Sequence, residues 1–243
     1  MNKSISVFVP AYNEEENIRD LVFEINDYLK NRFQDHEILI VSEGSTDKTN
    51  EIVKELEGQI PHLKLLARPE NFGYAGALRT GFTNSKKDLI FYTDGDRQFD
   101  IKELDLLLPM IEKYDIVTGY KIKRHDPLMR IWTSKIYNWT MRLLFGLKVK
   151  DVNCAFKLYR REVIDKVDFL PSLTQGVINV EIYLTGLKNG FTIGEVGVHH
   201  FHRAKGKTDA EIGGRGKIIA FVKPRIIWGF IKDTFKVWRK FYL

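Results

Sequence analysis

The sequence has very little cysteine: one residue, Cys154, among 243. A single thiol excludes an internal disulfide framework and a cysteine-rich zinc centre, and it fits a reducing compartment. Long apolar runs are missing too. No stretch reaches the ~18–20 residues that cross a bilayer. The opening Met1-Asn2-Lys3-Ser4-Ile5-Ser6 has no signal-peptide hydrophobic region. There is no internal repeat and no low-complexity segment. Neither glycine-rich phosphate loop is present. No Gly-x-Gly-x-x-Gly follows the first apolar run, and no Gly-x-x-x-x-Gly-Lys-Ser/Thr occurs anywhere. Dinucleotide-binding and P-loop readings therefore lack the backbone that cradles their phosphates.

What is there is a chain able to bury a core: 44% of residues are hydrophobic and 29% charged, so it is not disordered. The net charge of +6 suits phosphate-bearing substrates or an anionic membrane surface. It does not by itself imply nucleic acid, and none is expected as a partner. The expected location is cytoplasmic, peripheral to the cytoplasmic face of a membrane.

The chain is organised around residues 88–100. An apolar, aromatic run, Leu89–Thr93, has the composition of a buried strand and stops at Asp94-Gly95-Asp96, with Gln98 two residues on. Carboxylates cannot continue a buried strand, so it presents them at its carboxyl end, the edge where open α/β sheets bind ligands. Asp94, Asp96 and an amide oxygen suit Mg²⁺ or Mn²⁺ shared with substrate phosphates. Taken alone, Asp-Gly reads equally well as a turn.

Around it, strands and helices alternate. Residues 5–9 read as a strand, followed by a helix capped by Asn13, with Glu14, Glu15 and Glu16 in its first turn, running to about Leu29. Residues 37–41 form a second strand, then a helix from about Lys48 to Leu56. Residues 63–67 form a third, then a Gly/Ala-rich helix (75–85) carrying Arg79. Four alternations imply a mostly parallel, Rossmann-like α/β sheet flanked by helices. Its strand ends supply Pro10, Ala11, Tyr12 and Glu14, then Glu43, then Asp94 and Asp96. An aromatic ring, a carboxylate for base or ribose, and a metal pair together suit a nucleotide diphosphate.

The order Pro-Ala-Tyr-Asn-Glu-Glu (10–15), Glu-Gly-Ser-Thr-Asp (43–47), Asn-x-Gly (71–73) and Asp-Gly-Asp-x-Gln (94–98) resembles family 2 glycosyltransferases with the GT-A fold. Within them it is similar to the polyprenyl-phosphate sugar transferases. The resemblance implies a divalent Mg²⁺ or Mn²⁺ on Asp94, Asp96 and Gln98, with Asp96 in the reaction centre. It implies contacts to a GDP- or UDP-linked sugar from Pro10, Ala11, Tyr12, Glu14, Glu43 and Arg79. Where the family has two aspartates before Gly-Ser, this chain has Ser42-Glu43.

A strand at 115–119 leads to a basic loop (120–126) with Lys121, Lys123 and Arg124. Residues 128–146 then read as one amphipathic helix. Arg130, Ser134 and Lys135 match the family's Arg-x-x-x-Ser-basic pattern, and Lys121 stands near the place of an arginine. The resemblance puts Lys121, Arg130 and Ser134 on the phosphate of a polyprenyl acceptor. Residues 151–161 are similar to the family's Asp-x-x-x-Gly-Phe-Arg/Lys segment, which places Asp151 in the active centre. Cys154 reads as a small buried hydrophobe. Glu181, in an apolar helix (176–189), is either paired or site-lining. A strand over 191–198 runs into three histidines (199, 200 and 202), which stand at no recognised zinc spacing. The run Arg203-x-x-Gly206-x-Thr208 resembles the family's loop that closes on the diphosphate, with Arg203 and Lys205 stabilising leaving-group charge.

Residues 217–243 carry seven basic residues and one acidic, with Ile227, Ile231, Trp238 and Tyr242 at helical spacing. The pattern suits a membrane-surface helix or one packed on the domain. The expected organisation is a catalytic domain over 1–212, its donor half about 1–119 and its acceptor half about 120–212, then a basic amphipathic tail over 213–243. The expected reaction is metal-dependent, inverting transfer of a sugar to a polyprenyl phosphate. The alternatives are a glycan or other hydroxyl acceptor, for which Asp151 or Glu181 would be the base, and a catalytically silent scaffold.

Overall fold

The computed structural model describes residues 3–122, 128–173, 176–203 and 224–243. The elements in chain order are β1 (Ile5–Ala11), α1 (Ile18–Lys30), β2 (His36–Glu43), α2 (Thr49–Glu57), β3 (Leu63–Arg68), α3 (Gly73–Asn84), β4 (Leu89–Thr93), α4 (Leu104–Leu107), β5 (Ile116–Ile122), α5 (Leu128–Phe145), β6 (Phe156–Arg160), α6 (Arg161–Ile164), α7 (Ile178–Lys188), β7 (Ile193–His199) and α8 (Pro224–Tyr242).

The strands form one sheet in the order β3-β2-β1-β4-β6-β5-β7. β1, β2, β3 and β4 are parallel, as the alternation predicts, and β5 pairs parallel with β7. The exception is β6. It lies antiparallel between β4 and β5, with Thr93 opposite Phe156. The sequence reading leaves 156–160 without a strand assignment.

Continuous apolar runs place β1 and β4 at the centre, where Val7, Phe8, Val9, Ile90, Phe91 and Tyr92 are all buried. Helix α1 covers the sheet with Ile18, Leu21, Val22, Ile25 and Leu29. Burying such side chains contributes roughly 1.5–3 kcal/mol each. The rings of Phe8, Phe82 and Tyr92 interlock, with Phe8–Phe82 centroids 4.9 Å apart and Phe8–Tyr92 5.3 Å apart.

Two local expectations are corrected. Asn13 does not cap α1. The helix starts at Ile18, and Asn13 sits at φ 54°, its side chain accepting a hydrogen bond from the Thr46 amide at 2.8 Å. The three glutamates lie in the turn ahead of the helix. At the other correction, residues 120–122 belong to β5 rather than to a loop, because their backbone pairs with Gly197–His199 of β7.

Candidate active site

Parallel strands deliver their carboxyl ends to one edge, and an antiparallel strand delivers its entry there instead. The register therefore gathers Pro10 to Glu14 after β1, Glu43 on β2, Asp94 and Asp96 after β4, Lys121 on β5, the Asp151–Ala155 loop entering β6, and Arg203 beyond β7. The reversed direction of β6 is what brings Asp151 to the same edge as the Asp94–Asp96 pair.

The centre of that edge is a charge cluster. The Tyr74 hydroxyl donates to Asp94 Oδ1 at 3.1 Å. Arg203 donates from Nη2 to Glu14 Oε1 at 2.6 Å, and its Nη1 stands 4.0 Å from Asp96 Oδ2. Burial pushes the Glu14 carboxyl up, against hydrogen bonds from Asn17 and Arg203. Gln98 donates its side-chain amide to the Phe201 carbonyl at 2.9 Å, and the Phe201 amide returns a bond to the Gln98 carbonyl at 2.8 Å. Gln98 thus ties the β4 end to the segment bearing Arg203. Pro10 and Ala11 line β1's end, and Tyr12 is partly exposed beside them.

Among the described residues no group of three or more His, Cys, Asp or Glu could hold an ion unaided. The Asp94–Asp96 pair nonetheless fits a hard divalent cation. It offers oxygen ligands only, it already attracts a guanidinium, and such an ion completes its shell from phosphates and water.

The turn bearing these groups is strained. Asn13 and Arg97 are the two non-glycine residues with positive φ among those described, Arg97 at 59°. A left-handed non-glycine residue costs roughly 1–2 kcal/mol. Arg97 is held by Asp20 at 2.8 Å and by Glu24, both on α1. Half-exposed pairs of this kind contribute about 0–1 kcal/mol each, so together they are of a size to offset the strain.

Glu43 is only 3% exposed. Its Oε1 accepts from the Thr80 hydroxyl at 3.0 Å, while its buried Oε2 has no hydrogen-bond partner in the protein. Gly76 makes room for it, since a Cβ there would lie 2.7 Å from Oε2. Arg79 is engaged elsewhere, donating to the Leu170 carbonyl at 3.2 Å. Lys205 and the side chain of Arg130 lie outside the described residues, as do Lys123 and Arg124.

On the acceptor side, a cavity of about 990 Å³ lies between α5 and α8. Lys121, Ser134, Asp151 and Asn153 supply polar lining; Ile136, Met141, Leu144, Ile227, Phe230, Phe235 and Trp238 supply apolar walls. The structure brings Lys121, Ser134 and Asp151 together there.

The sequence reading missed Tyr74, Thr80 and Arg97, none of which stands out by pattern. It also missed the role of Lys157, for which a signal exists: a lone cation inside the apolar run Phe156–Tyr159. Lys157 is 0% exposed and donates to the Cys154 carbonyl, fixing the loop that carries Asp151. Burial pulls its pKa down to about 8, against the nearby Cys154 and Asp151. A lysine pKa depressed in the folded state means the unfolded chain binds more protons between pH 8 and 10, so stability rises with pH there. Relative to Lys157→Met, the native chain should gain on the order of 2 kcal/mol from pH 8 to 10, read from denaturant midpoints. Equal slopes for the two proteins would show that the ammonium is not held in a desolvated site.

Glu181 is not site-lining. It is fully buried, accepts from the Leu170 amide at 2.9 Å and pairs with Lys240 of α8 at 3.0 Å. The same face of α8 buries Val237 and Asp233 and packs Phe230 and Phe241 on the core. The tail helix therefore packs on the domain through one face. Another face leaves Trp228 69% exposed, beside Ile231 and Phe235, and α5 likewise exposes Trp132 and Trp139. No helix among the described residues is long and apolar enough to cross a membrane.

The chain is 32% identical over 165 residues to the undecaprenyl-phosphate 4-deoxy-4-formamido-L-arabinose transferase of Photorhabdus laumondii, covering 67% of this chain and 51% of that protein. It is 30% identical to the protein of the same description from Salmonella choleraesuis, over 67% of this chain and 50% of that one. The chain spans about half the length of the curated relatives it matches. Among solved structures, it superposes on glucosyl-3-phosphoglycerate synthase from Mycobacterium tuberculosis bound to phosphoglyceric acid, with a TM-score of 0.68 at 16% identity, covering 95% of this chain and 80% of that one. The complex of that synthase with Mn²⁺, UDP-glucose and phosphoglyceric acid gives 0.67 at 15% identity, covering 95% and 79%. This likeness shows a shared GT-A fold. The model of glycosyl transferase family 2 matches residues 6–168. That span holds well over half of the chain and every site-bearing strand from β1 to β6, and the chain belongs to glycosyl transferase family 2.

Proposed function

We propose that this chain transfers a sugar from a nucleoside-diphosphate sugar to a polyprenyl phosphate at a membrane surface, inverting the anomeric carbon. The observation that carries this reading is the cavity between α5 and α8. Its apolar walls suit a prenyl tail, and Lys121 and Ser134 offer a cation and a hydroxyl for a phosphate. The curated relatives are described as transferases acting on undecaprenyl phosphate.

On the donor side, Asp94 and Asp96 would hold Mg²⁺ or Mn²⁺, with Gln98 beside them. When bound, that ion supplies charge neutralisation for the diphosphate leaving group. Arg203 adds a second positive charge at the same place, and it is already within reach of Asp96 and Glu14. The donor is read as a UDP- or GDP-linked sugar, in line with the UDP-glucose-bound structure of the same fold. A phosphate acceptor is ionised at neutral pH, so its oxygen can attack without a general base, and the chain's task is to position it. Asp151 borders the acceptor cavity and orients what binds there. The exposed tryptophans of α5 and α8, with Lys135 beside Trp132 and Lys232 one turn on from Trp228, suit a peripheral membrane contact.

The test is transfer from UDP- and GDP-sugars to a short polyprenyl phosphate with Mn²⁺, comparing the native chain with Thr234→Trp. Thr234 lines the cavity. The expected outcome is lipid-linked product, with KM for the lipid raised about tenfold by the substitution and donor hydrolysis unchanged. Transfer to a soluble glycan but not to the lipid phosphate would overturn the reading, as would an absence of donor binding.

A further inference from the structure

We propose that Arg97 is a positioning residue that sets the divalent-metal affinity of this site from outside it. The inference rests on the reading of Asp94 and Asp96 as metal carboxylates. Arg97 stands between the site residues Asp96 and Gln98, and its side chain turns away from them. Its guanidinium reaches Asp20, at 2.8 Å, and Glu24, one turn apart on α1. Its backbone occupies the left-handed region at φ 59°. That conformation lets the Gln98 amide bond Asp96 Oδ1 at 3.1 Å. The loop is therefore bent by its backbone and held bent by a side chain clamped to a rigid helix. Loosening the clamp lets the turn relax, and Asp96 loses the bond from the Gln98 amide that fixes its carboxylate.

Coulomb's law alone predicts the opposite. Removing a cation near a metal site should strengthen metal binding. The sign of the effect therefore separates positioning from simple charge.

The experiment measures binding of Mn²⁺ in the presence of UDP, from the free-ion electron paramagnetic resonance signal with a protein-free Mn²⁺–UDP sample as reference, for the native chain, Arg97→Ala, Arg97→Gly and Asp96→Ala. Arg97→Ala keeps the strain and loses the clamp, and it should bind Mn²⁺ roughly tenfold more weakly, the size found for supporting groups around a metal site. Arg97→Gly loses both, and glycine accepts the left-handed turn unaided, so it should bind more tightly than Arg97→Ala. Thermal unfolding of each variant establishes that it is folded. Mn²⁺ binding by Arg97→Ala that equals or exceeds the native level, or identical losses in the alanine and glycine variants, would overturn the proposal. Unaltered binding by Asp96→Ala would instead remove the metal reading on which it rests.

Discussion

Asp96→Ala should lower metal-dependent sugar transfer by on the order of a thousandfold at saturating Mn²⁺, while the melting temperature stays within a few degrees of native. The magnitude follows from removing a preorganised charge group where leaving-group charge develops. Stability should hold because Asp96 lies in a partly exposed turn at the sheet edge, not in the core. Asp96→Ala leaves untouched the Arg203–Glu14 pair and the Gln98–Phe201 bonds, so the segment beyond β7 keeps those anchors. Asp94 should behave similarly but with a larger structural cost, because the partly buried Tyr74 hydroxyl loses its acceptor. Turnover that fell less than tenfold, with unchanged dependence on Mn²⁺, would place the metal on other residues. Activity measured across Mn²⁺ concentrations separates weakened binding from lost chemistry.

The second large effect is on stability. Gly81→Val should cost roughly 3 kcal/mol and lower the melting temperature by about 10 °C. A Cβ on Gly81 would stand 2.3 Å from the Phe8 ring. Phe8 cannot yield, being fully buried on the central strand and wedged between Phe82 and Tyr92. Valine also brings a β-branch into a helix, which adds a little to the cost. Gly58→Ala is the control. Its Cβ would meet only the Glu55 carbonyl, at 3.4 Å, with φ at −69°. That variant should stay within about 0.5 kcal/mol of native or gain slightly. Calorimetry on the pair decides the matter: equal melting temperatures would mean that the sheet and α3 can part enough to admit a side chain.

The residues Asp94 and Asp96 were legible in the sequence because a buried apolar run cannot end in carboxylates without exposing them at an edge. The parallel half of the sheet was legible for a similar reason, since regular alternation of strand and helix leaves few arrangements. β6 was not. Its five residues, Phe156–Arg160, contain a buried lysine and an arginine, and a short run reads the same in either direction. Direction is set by the connections on each side, which composition does not reveal. Glu181 was half legible. A carboxylate among apolar residues announced a partner, but the partner, Lys240, lies 59 positions away. Arg97 was hidden for another reason: its importance lies in a backbone angle and two residues of α1, not in any motif.

The place of β6 in the sheet also governs how the chain can be assembled during synthesis. β4 and β5 leave the ribosome well before β6, yet they are not joined in one sheet until residues 156–160 slide between them. Until then β4 carries an open flank of unpaired amides and carbonyls, beside strongly apolar residues. Such a flank is a template for pairing with neighbouring chains. A nascent chain in which β4 has emerged and residues 156–160 have not keeps that flank open, and emergence of the Phe156–Arg160 segment is the event that covers it.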